Sequence, residues 1–302
     1  VSQPVLIEVA LNGGTKKSRN PNTPVTPEEI TADALACITA GAQVVHTHIE
    51  DFKLNGTASA QRYLAAWRPI HEAAPDVMLY PTVAGGETIE QRQSHAEALA
   101  ESGLLGFNAL DPGSVNFAGP GVGEGGMPGP KSTVYSHSYK DCEYILDQAD
   151  RHRLPLNISI FDASFLRAVL AFQRAGRMRH GALVKLYFGG EYGLFDGTPG
   201  ALTFGFSPTR KALEAYLEML EGSGLAWLVN VYGGDLGASP MAQMALELGG
   251  HLRVGLEDYA GERTPSNLEL VEKAVELAQK AGRRIATARE ARAIIEALGR
   301  PV

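Results

Sequence analysis

Apolar runs of strand length alternate with amphipathic, helix-like runs along this chain, and few architectures accept that order. The strand-like runs are residues 5–10, 43–48, 77–82, 105–110, 156–161, 183–188, 227–231 and 251–256. Helix-like segments begin between them near Thr26, Ser59, Thr88, Tyr139, Ala163, Pro208, Ser239 and Ser266. About eight βα units is the count of a (β/α)8 barrel, in which each parallel strand needs a helix to return the chain. Helix starts are marked by capping residues: Thr26-Pro27-Glu28-Glu29 puts a side-chain acceptor before proline and acids, and Ser207-Pro208 repeats the device. Gly41, Gly103, Gly176, Gly224, Gly249 and Gly282 follow the helix-like runs. A length of 302 residues is normal for one such barrel. The expectation is therefore an α/β fold, a single (β/α)8 TIM barrel domain over residues 1–302, with the last helix, 287–298, as a C-terminal cap.

Two stretches carry the chemistry. His46-Thr47-His48 ends the second strand-like run, and in a strand residues i and i+2 share a face, so both imidazoles project together. Far away, Gly249-Gly250-His251-Leu252-Arg253-Val254-Gly255-Leu256-Glu257-Asp258 reads as the last strand and ends in two carboxylates. Barrel closure puts the last strand beside the first and the first beside the second, so these ends lie about 10 Å apart, two strand spacings. His46, His48 and Glu257 can then share one divalent cation. Two His and one carboxylate with open positions make a catalytic set rather than a closed structural one. Zinc is the first choice because imidazole suits it; iron, cobalt, nickel and manganese remain alternatives. Asp258, next to a ligand, is positioned to move a proton, or else caps the following helix.

Two loops, 112–136 and 189–206, are longer than connection requires, and both follow strands, where barrel enzymes keep their sites. Net charge is −7, which argues against a nucleic-acid binder working by bulk attraction to phosphates. Cys37 and Cys142 lack metal-ligand spacing and fit a reducing, cytoplasmic setting. The N-terminal apolar run is short, is broken by Glu8 and has no basic leader, and no stretch reaches the roughly 18 apolar residues of a membrane span.

The motifs resemble those of the β-keto acid cleavage enzymes, typified by 3-keto-5-aminohexanoate cleavage enzyme. Ala40-Gly41-Ala42-Gln43-Val44-Val45-His46-Thr47-His48 is similar to that family's metal-binding second strand, and residues 249–258 match its Gly-Gly-His-x-Arg-x-Gly-x-Glu-Asp signature. Ser266-Asn267, Glu269-Leu270-Val271, Ile285-Ala286-Thr287 and Glu290-Ala291-Arg292 resemble its C-terminal helices. The resemblance implies a zinc barrel that splits a β-keto acid with acetyl-CoA as co-substrate, giving acetoacetate and an acyl-CoA. It implies Asp258 as acid–base partner, a substrate pocket at Thr82, Gly85, Gly86, Asp111, Ser114 and Ser159, and a homo-oligomer, tetramer or dimer. Gly85-Gly86 and the loop 112–130 are candidates for the coenzyme A path.

The pocket departs from the family pattern. Gly234 stands where an arginine usually follows the seventh strand; Thr15 and Ser159 stand where members acting on amino substrates carry acids; Thr82 replaces a serine and Ala109 a threonine, whereas Asp111, Ser114, Asn116 and Phe117 keep the pattern. Losing those acids argues against an amino-bearing substrate. Lys16, Lys17 and Arg19 suit an anionic ligand or a solvated loop. Lys185, in an apolar strand, substitutes for the missing cation if it points inward, or snorkels outward beneath a helix. Arg253 shares parity with Glu257, and Glu8 lies on the neighbouring strand, so a buried Glu8–Arg253 pair is expected. Competing functions are a Schiff-base aldolase using Lys185, a His-x-His metal hydrolase, disfavoured because the middle strands lack histidine, and a diverged metal-binding barrel without turnover.

Overall fold

Ten strands are present in the computed structural model, which describes residues 3–119, 121–128, 132–193, 197–200 and 204–297. They are β1 (Ile7–Ala10), β2 (Val44–Thr47), β3 (Met78–Pro81), β4 (Asn108–Leu110), β5 (Ser114–Phe117), β6 (Thr133–Ser136), β7 (Leu156–Ile160), β8 (Ala182–Gly189), β9 (Ala226–Tyr232) and β10 (His251–Val254). Eight of them form one sheet in the order β3-β2-β1-β10-β9-β8-β7-β4. The paired strands in it run parallel. Its two ends meet at a bridge between Leu79 and Leu105, where the Gly106 N–H donates to the Leu79 carbonyl over 2.7 Å. The sheet thereby closes into the expected TIM barrel. The helices around it are α1 (Pro27–Ala40), α2 (Gly56–Ala73), α3 (Ile89–Glu101), α4 (Tyr139–His152), α5 (Ala163–Arg174), α6 (Arg210–Leu220), α7 (Pro240–Glu247), α8 (Asn267–Lys280) and α9 (Ala288–Glu296).

Local chemistry sets most of these boundaries. Thr26, Thr88, Ser138, Ser266 and Thr287 each close a capping box with an acid or glutamine three residues on. α6 is a correction: Thr209, not the Ser207-Pro208 pair, accepts from the Ala212 N–H. β10 is another, since it stops at Val254 and a turn carries Glu257 and Asp258. The hairpin β5–β6 inside the loop 112–136 was not foreseen. α9 caps the bottom of the barrel, burying Ala291 and Ile295 against the start of β8. Leu298, parts of both long loops (residues 120, 129–131, 194–196 and 201–203) and Pro130 of the proposed coenzyme A path lie outside the described residues. Cys37 and Cys142 are buried free thiols, and among the described residues no helix is long and apolar enough to cross a membrane.

His251 and His95 are buried in this framework and held by backbone groups. His251 Nδ1 accepts the Leu6 N–H at 3.1 Å, and His95 Nε2 donates to the Thr82 carbonyl at 2.8 Å. Burial pushes the His251 ring down to about 3, with help from the Arg283 charge, and the His95 ring down to about 4. A folded value below the unfolded one near 6.5 means stability is fully present above that pH and drains as pH falls toward 4. Ring proton resonances of both residues should stay at their neutral positions through pH 5; a midpoint near 6.5 for either would contradict the burial argument.

Candidate active site and metal centre

The alternation of β2 sends Thr47 outward, where its hydroxyl accepts from Trp67 Nε1 at 3.0 Å, and turns His46 and His48 toward the barrel mouth. Their Nε2 atoms lie 3.0 Å apart. Glu257 reaches the same point by a different device. Gly255, at φ 135°, turns the chain back after β10; a Cβ there would stand 2.0 Å from the Ala10 carbonyl oxygen, so only glycine fits. The turn is pinned by the Thr15 hydroxyl donating to the Leu256 carbonyl (2.7 Å) and by Asn267 accepting the Leu256 N–H (2.9 Å). Glu257 Oε2 then stands 3.1 Å from His46 Nε2 and 3.4 Å from His48 Nε2.

This triangle fits a metal. Zinc ligands at about 2.0–2.1 Å in tetrahedral array stand roughly 3.3–3.4 Å apart, close to the three separations found. Glu257 Oε2 is buried without a hydrogen-bond donor, an expensive arrangement unless a cation meets it. The supporting contacts orient the donors. His46 Nδ1 faces the Tyr80 carbonyl at 3.2 Å, which fixes its proton there and leaves Nε2 bare, and Arg253 Nη2 holds Glu257 Oε1 at 3.2 Å. Burial pushes His46 down to about 4, against the pull of Glu257, so the ring is a neutral donor. Burial works to raise Glu257, yet His46, Arg253 and His48 hold it well below the usual carboxylate range. Among the described residues, His46, His48 and Glu257 are the one such group.

Below the triangle the barrel interior is polar rather than the usual stack of branched apolar layers. β1 and β10 pair Glu8 with Arg253 in register, and Nη1 of the arginine donates to Glu8 Oε1 at 2.7 Å, both side chains fully buried. The expected ion pair is therefore present. Tyr80 also donates to Glu8 Oε1, and Asn157 donates to Oε2 at 3.0 Å. Burial opposes ionisation of Glu8, but Lys185 and Arg253 keep it below its ordinary range.

Asp258 belongs to this layer and not to the cavity wall. Arg253 Nε and Nη2 grip its two oxygens at 2.9 and 3.0 Å, and Asn230 donates at 3.0 Å. Strand alternation would have pointed it away from Glu257; the turn at Gly255 brings both inside. Burial raises Asp258 despite the arginine. Lys185 points inward, resolving the two sequence alternatives. Its Nζ donates to the Tyr80 hydroxyl at 3.1 Å and sits 5.0 Å over that ring, and burial lowers its pKa although Glu8 resists.

A cavity of about 360 Å³ joins these groups: His46, His48, Glu257, Lys185, Thr82, Ser159 and Asp111 all reach it. Gly85, Gly86 and Ser114 are exposed and do not line it. Gly234, the position of the missing arginine, is hemmed in: a Cβ there would stand 2.7 Å from Val231 Cγ1, beside Gly190. Of the basic loop residues, Lys17 pairs with Glu29, and Arg19 donates to the Tyr259 carbonyl at 2.7 Å. Of the aromatic wall formed by Phe117, Tyr135, Phe161, Tyr187, Phe204 and Tyr232, the sequence pointed to Phe117 alone. Parity held a partial signal, since Phe161 follows Ser159 by two, Tyr187 follows Lys185 by two and Tyr232 follows Asn230 by two.

Comparison with known proteins finds related sequences and a related fold. The family model described as beta-keto acid cleavage enzyme matches residues 4–296. The 3-keto-5-aminohexanoate cleavage enzyme of Acetoanaerobium sticklandii is 30% identical over 300 residues, covering 96% of this chain and 97% of its own. The 3-oxoadipate:acetyl-CoA acetyltransferase of Cupriavidus necator is 26% identical over 306 residues, covering 98% and 95%. The apo structure of ObcA superposes with a TM-score of 0.65 at 19% identity, over 94% of this chain and 67% of that one, a likeness of fold.

Proposed function

The chain belongs to the β-keto acid cleavage enzymes, and from that premise we propose that it splits a β-keto acid with acetyl-CoA at a divalent-metal centre. The convergence of His46, His48 and Glu257 in one cavity carries this proposal. The atoms balance without an oxidant or reductant. The bond between the keto carbon and the carboxylate-bearing CH2 breaks. That CH2 carbon bonds to the acetyl carbon, giving acetoacetate, and the coenzyme A sulfur passes to the former keto carbon, giving the new acyl-CoA.

His46, His48 and Glu257 would hold the ion, which supplies Lewis-acid polarisation of the substrate's ketone and carboxylate oxygens when bound. Around it the chain's own groups orient the keto acid. Ser159 and Thr82 offer hydroxyls on the cavity wall, Asp111 an acceptor, and Lys185 a cation in place of the absent arginine. Gly85 and Gly86, whose loop hydrogen-bonds to the Phe52 carbonyl beside the cavity, are assigned to the coenzyme A path. Proton transfer by Asp258 requires that the Arg253 fork release one of its oxygens. The acid losses at Thr15 and Ser159 disfavour an amino-bearing substrate: Thr15 is spent on the Leu256 carbonyl and Ser159 carries no charge.

The test is metal analysis of the purified protein together with acyl-CoA formation from a panel of β-keto acids. We expect close to one divalent ion per chain and a chelator-sensitive acyl-CoA product; full turnover after chelation would overturn the proposal. One observation favours a second reading: Lys185 is buried in the cavity with its amine pushed toward neutrality, the state an imine-forming lysine needs. Borohydride distinguishes the two, since trapping of substrate on Lys185 would identify an aldolase.

A further inference from the structure

We propose that this site selects β-keto acids whose group beyond the ketone is neutral, apolar and bulky, of aryl or branched-alkyl size; the inference rests on the cleavage function proposed above. The cavity lining has two unlike parts, which meet where Lys185 Nζ stands 5.8 Å from the Tyr187 ring centroid. One holds the imidazoles, Glu257, Lys185 and Ser159. The other is a continuous aromatic wall. Phe161 lies 4.7 Å from Tyr187, 5.1 Å from Phe204 and 5.9 Å from Phe117 between ring centroids. Phe117 stacks on Tyr135 at 5.1 Å, and Tyr187 faces Tyr232 at 5.8 Å. With the keto acid's polar head at the first part, its remaining substituent enters the second.

Charge decides which substituent is accepted. Among the described residues the carboxylate on the wall apart from Glu257 is Asp111, and its Oδ2 already accepts the Tyr135 hydroxyl at 2.5 Å. A cationic substituent would share the cavity with Lys185 and find that acid engaged. An anionic one would lose its water against ring faces that carry negative potential. A neutral apolar group pays neither penalty and gains from burial. Each methylene removed from water is worth about 0.8 kcal/mol, or roughly fourfold in specificity. An aryl or isobutyl group should therefore exceed methyl by on the order of 10².

The experiment is kcat/KM for acyl-CoA formation with acids bearing methyl, isobutyl, phenyl, carboxyalkyl and trimethylammonioalkyl groups. Alongside it, calorimetric binding of the same acids is measured without acetyl-CoA. The expected result is a ratio of about 10² for phenyl or isobutyl over methyl and over both charged acids. Phe161→Ala and Phe204→Ala should each reduce that ratio about tenfold; if either variant fails to fold, the unmodified protein's ratios decide alone. Rings also hold quaternary ammonium groups, so preference for the trimethylammonio acid overturns the inference, as does preference for the carboxyalkyl or methyl acid. In those cases acyl-CoA still forms and the cleavage function stands. If no acid yields acyl-CoA, the cleavage function fails, and the binding series decides the inference by the same ratios.

Discussion

Arg253→Met should destabilise the barrel by about 3–5 kcal/mol, the range found when one partner of a buried ion pair is removed. The guanidinium is fully buried and serves three carboxylates: Glu8 through Nη1, Asp258 through Nε and Nη2, and Glu257 through Nη2. Methionine fills much of the volume but offers no charge, so Glu8 and Asp258 are left in the interior against their desolvation. Lys185 offsets part of the loss at Glu8, which is why the expectation is not larger. The pH dependence carries a distinct signature. In the unaltered protein the Glu8 carboxylate is held below its ordinary 4.5. Its stabilisation is therefore present above that pH and lost as pH falls through the folded value. Without Arg253 the Glu8 value rises and that of Asp258, already raised by burial, rises further, so that the variant loses stability as pH rises through the Asp258 value. Adding Glu8→Gln to the arginine variant should restore part of the stability, because removing both partners costs less than removing one. Denaturant titrations at pH 5 and pH 8 measure all three effects. A single-variant loss under about 1 kcal/mol, unchanged by pH, would mean the network contributes little.

On the proposed metal chemistry, Glu257→Gln should abolish binding of a divalent ion and lower acyl-CoA formation at least 10³-fold, equivalent to about 4 kcal/mol of transition-state stabilisation. The amide keeps the shape of the side chain and the contact with Arg253, yet it removes the negative charge that the His46–His48–Glu257 triangle presents. His48→Ala should act in the same direction, since it removes one corner of the triangle, and its fold should survive because His48 lies just beyond the end of β2. Atomic absorption on the dialysed variants separates metal loss from unfolding, with circular dichroism as the fold control. Retention of both the ion and the activity by Glu257→Gln would remove this carboxylate from the centre.

The barrel was legible because periodicity and punctuation agreed along the chain: strand-length apolar runs, caps such as Thr26 and Ser266, and terminal glycines such as Gly41 and Gly282. The convergence of His46, His48 and Glu257 was legible for a narrower reason. His46 and His48 share a strand face, and closure of the sheet carries Glu257 to them. The Glu8–Arg253 pair followed from parity on adjacent strands. What escaped depended on long-range packing. The orientation of Lys185 could not be read from an apolar strand buried on both faces; it is settled by Tyr80, 105 positions away. The β5–β6 hairpin hid in a stretch rich in glycine and proline, and its Phe117 and Tyr135 gain meaning only beside Phe161 and Phe204. The end of β10 was misplaced by two residues because Gly255 looks like an ordinary strand glycine until its backbone meets Ala10.

That one glycine has a wider consequence. By reversing the handedness of a single link, it divides two consecutive acids between separate tasks, one turned up to the mouth and one tucked beneath it. The mouth and its foundation are thus neighbours along the polypeptide, joined by one peptide bond, and a shift in either is felt at once by the other.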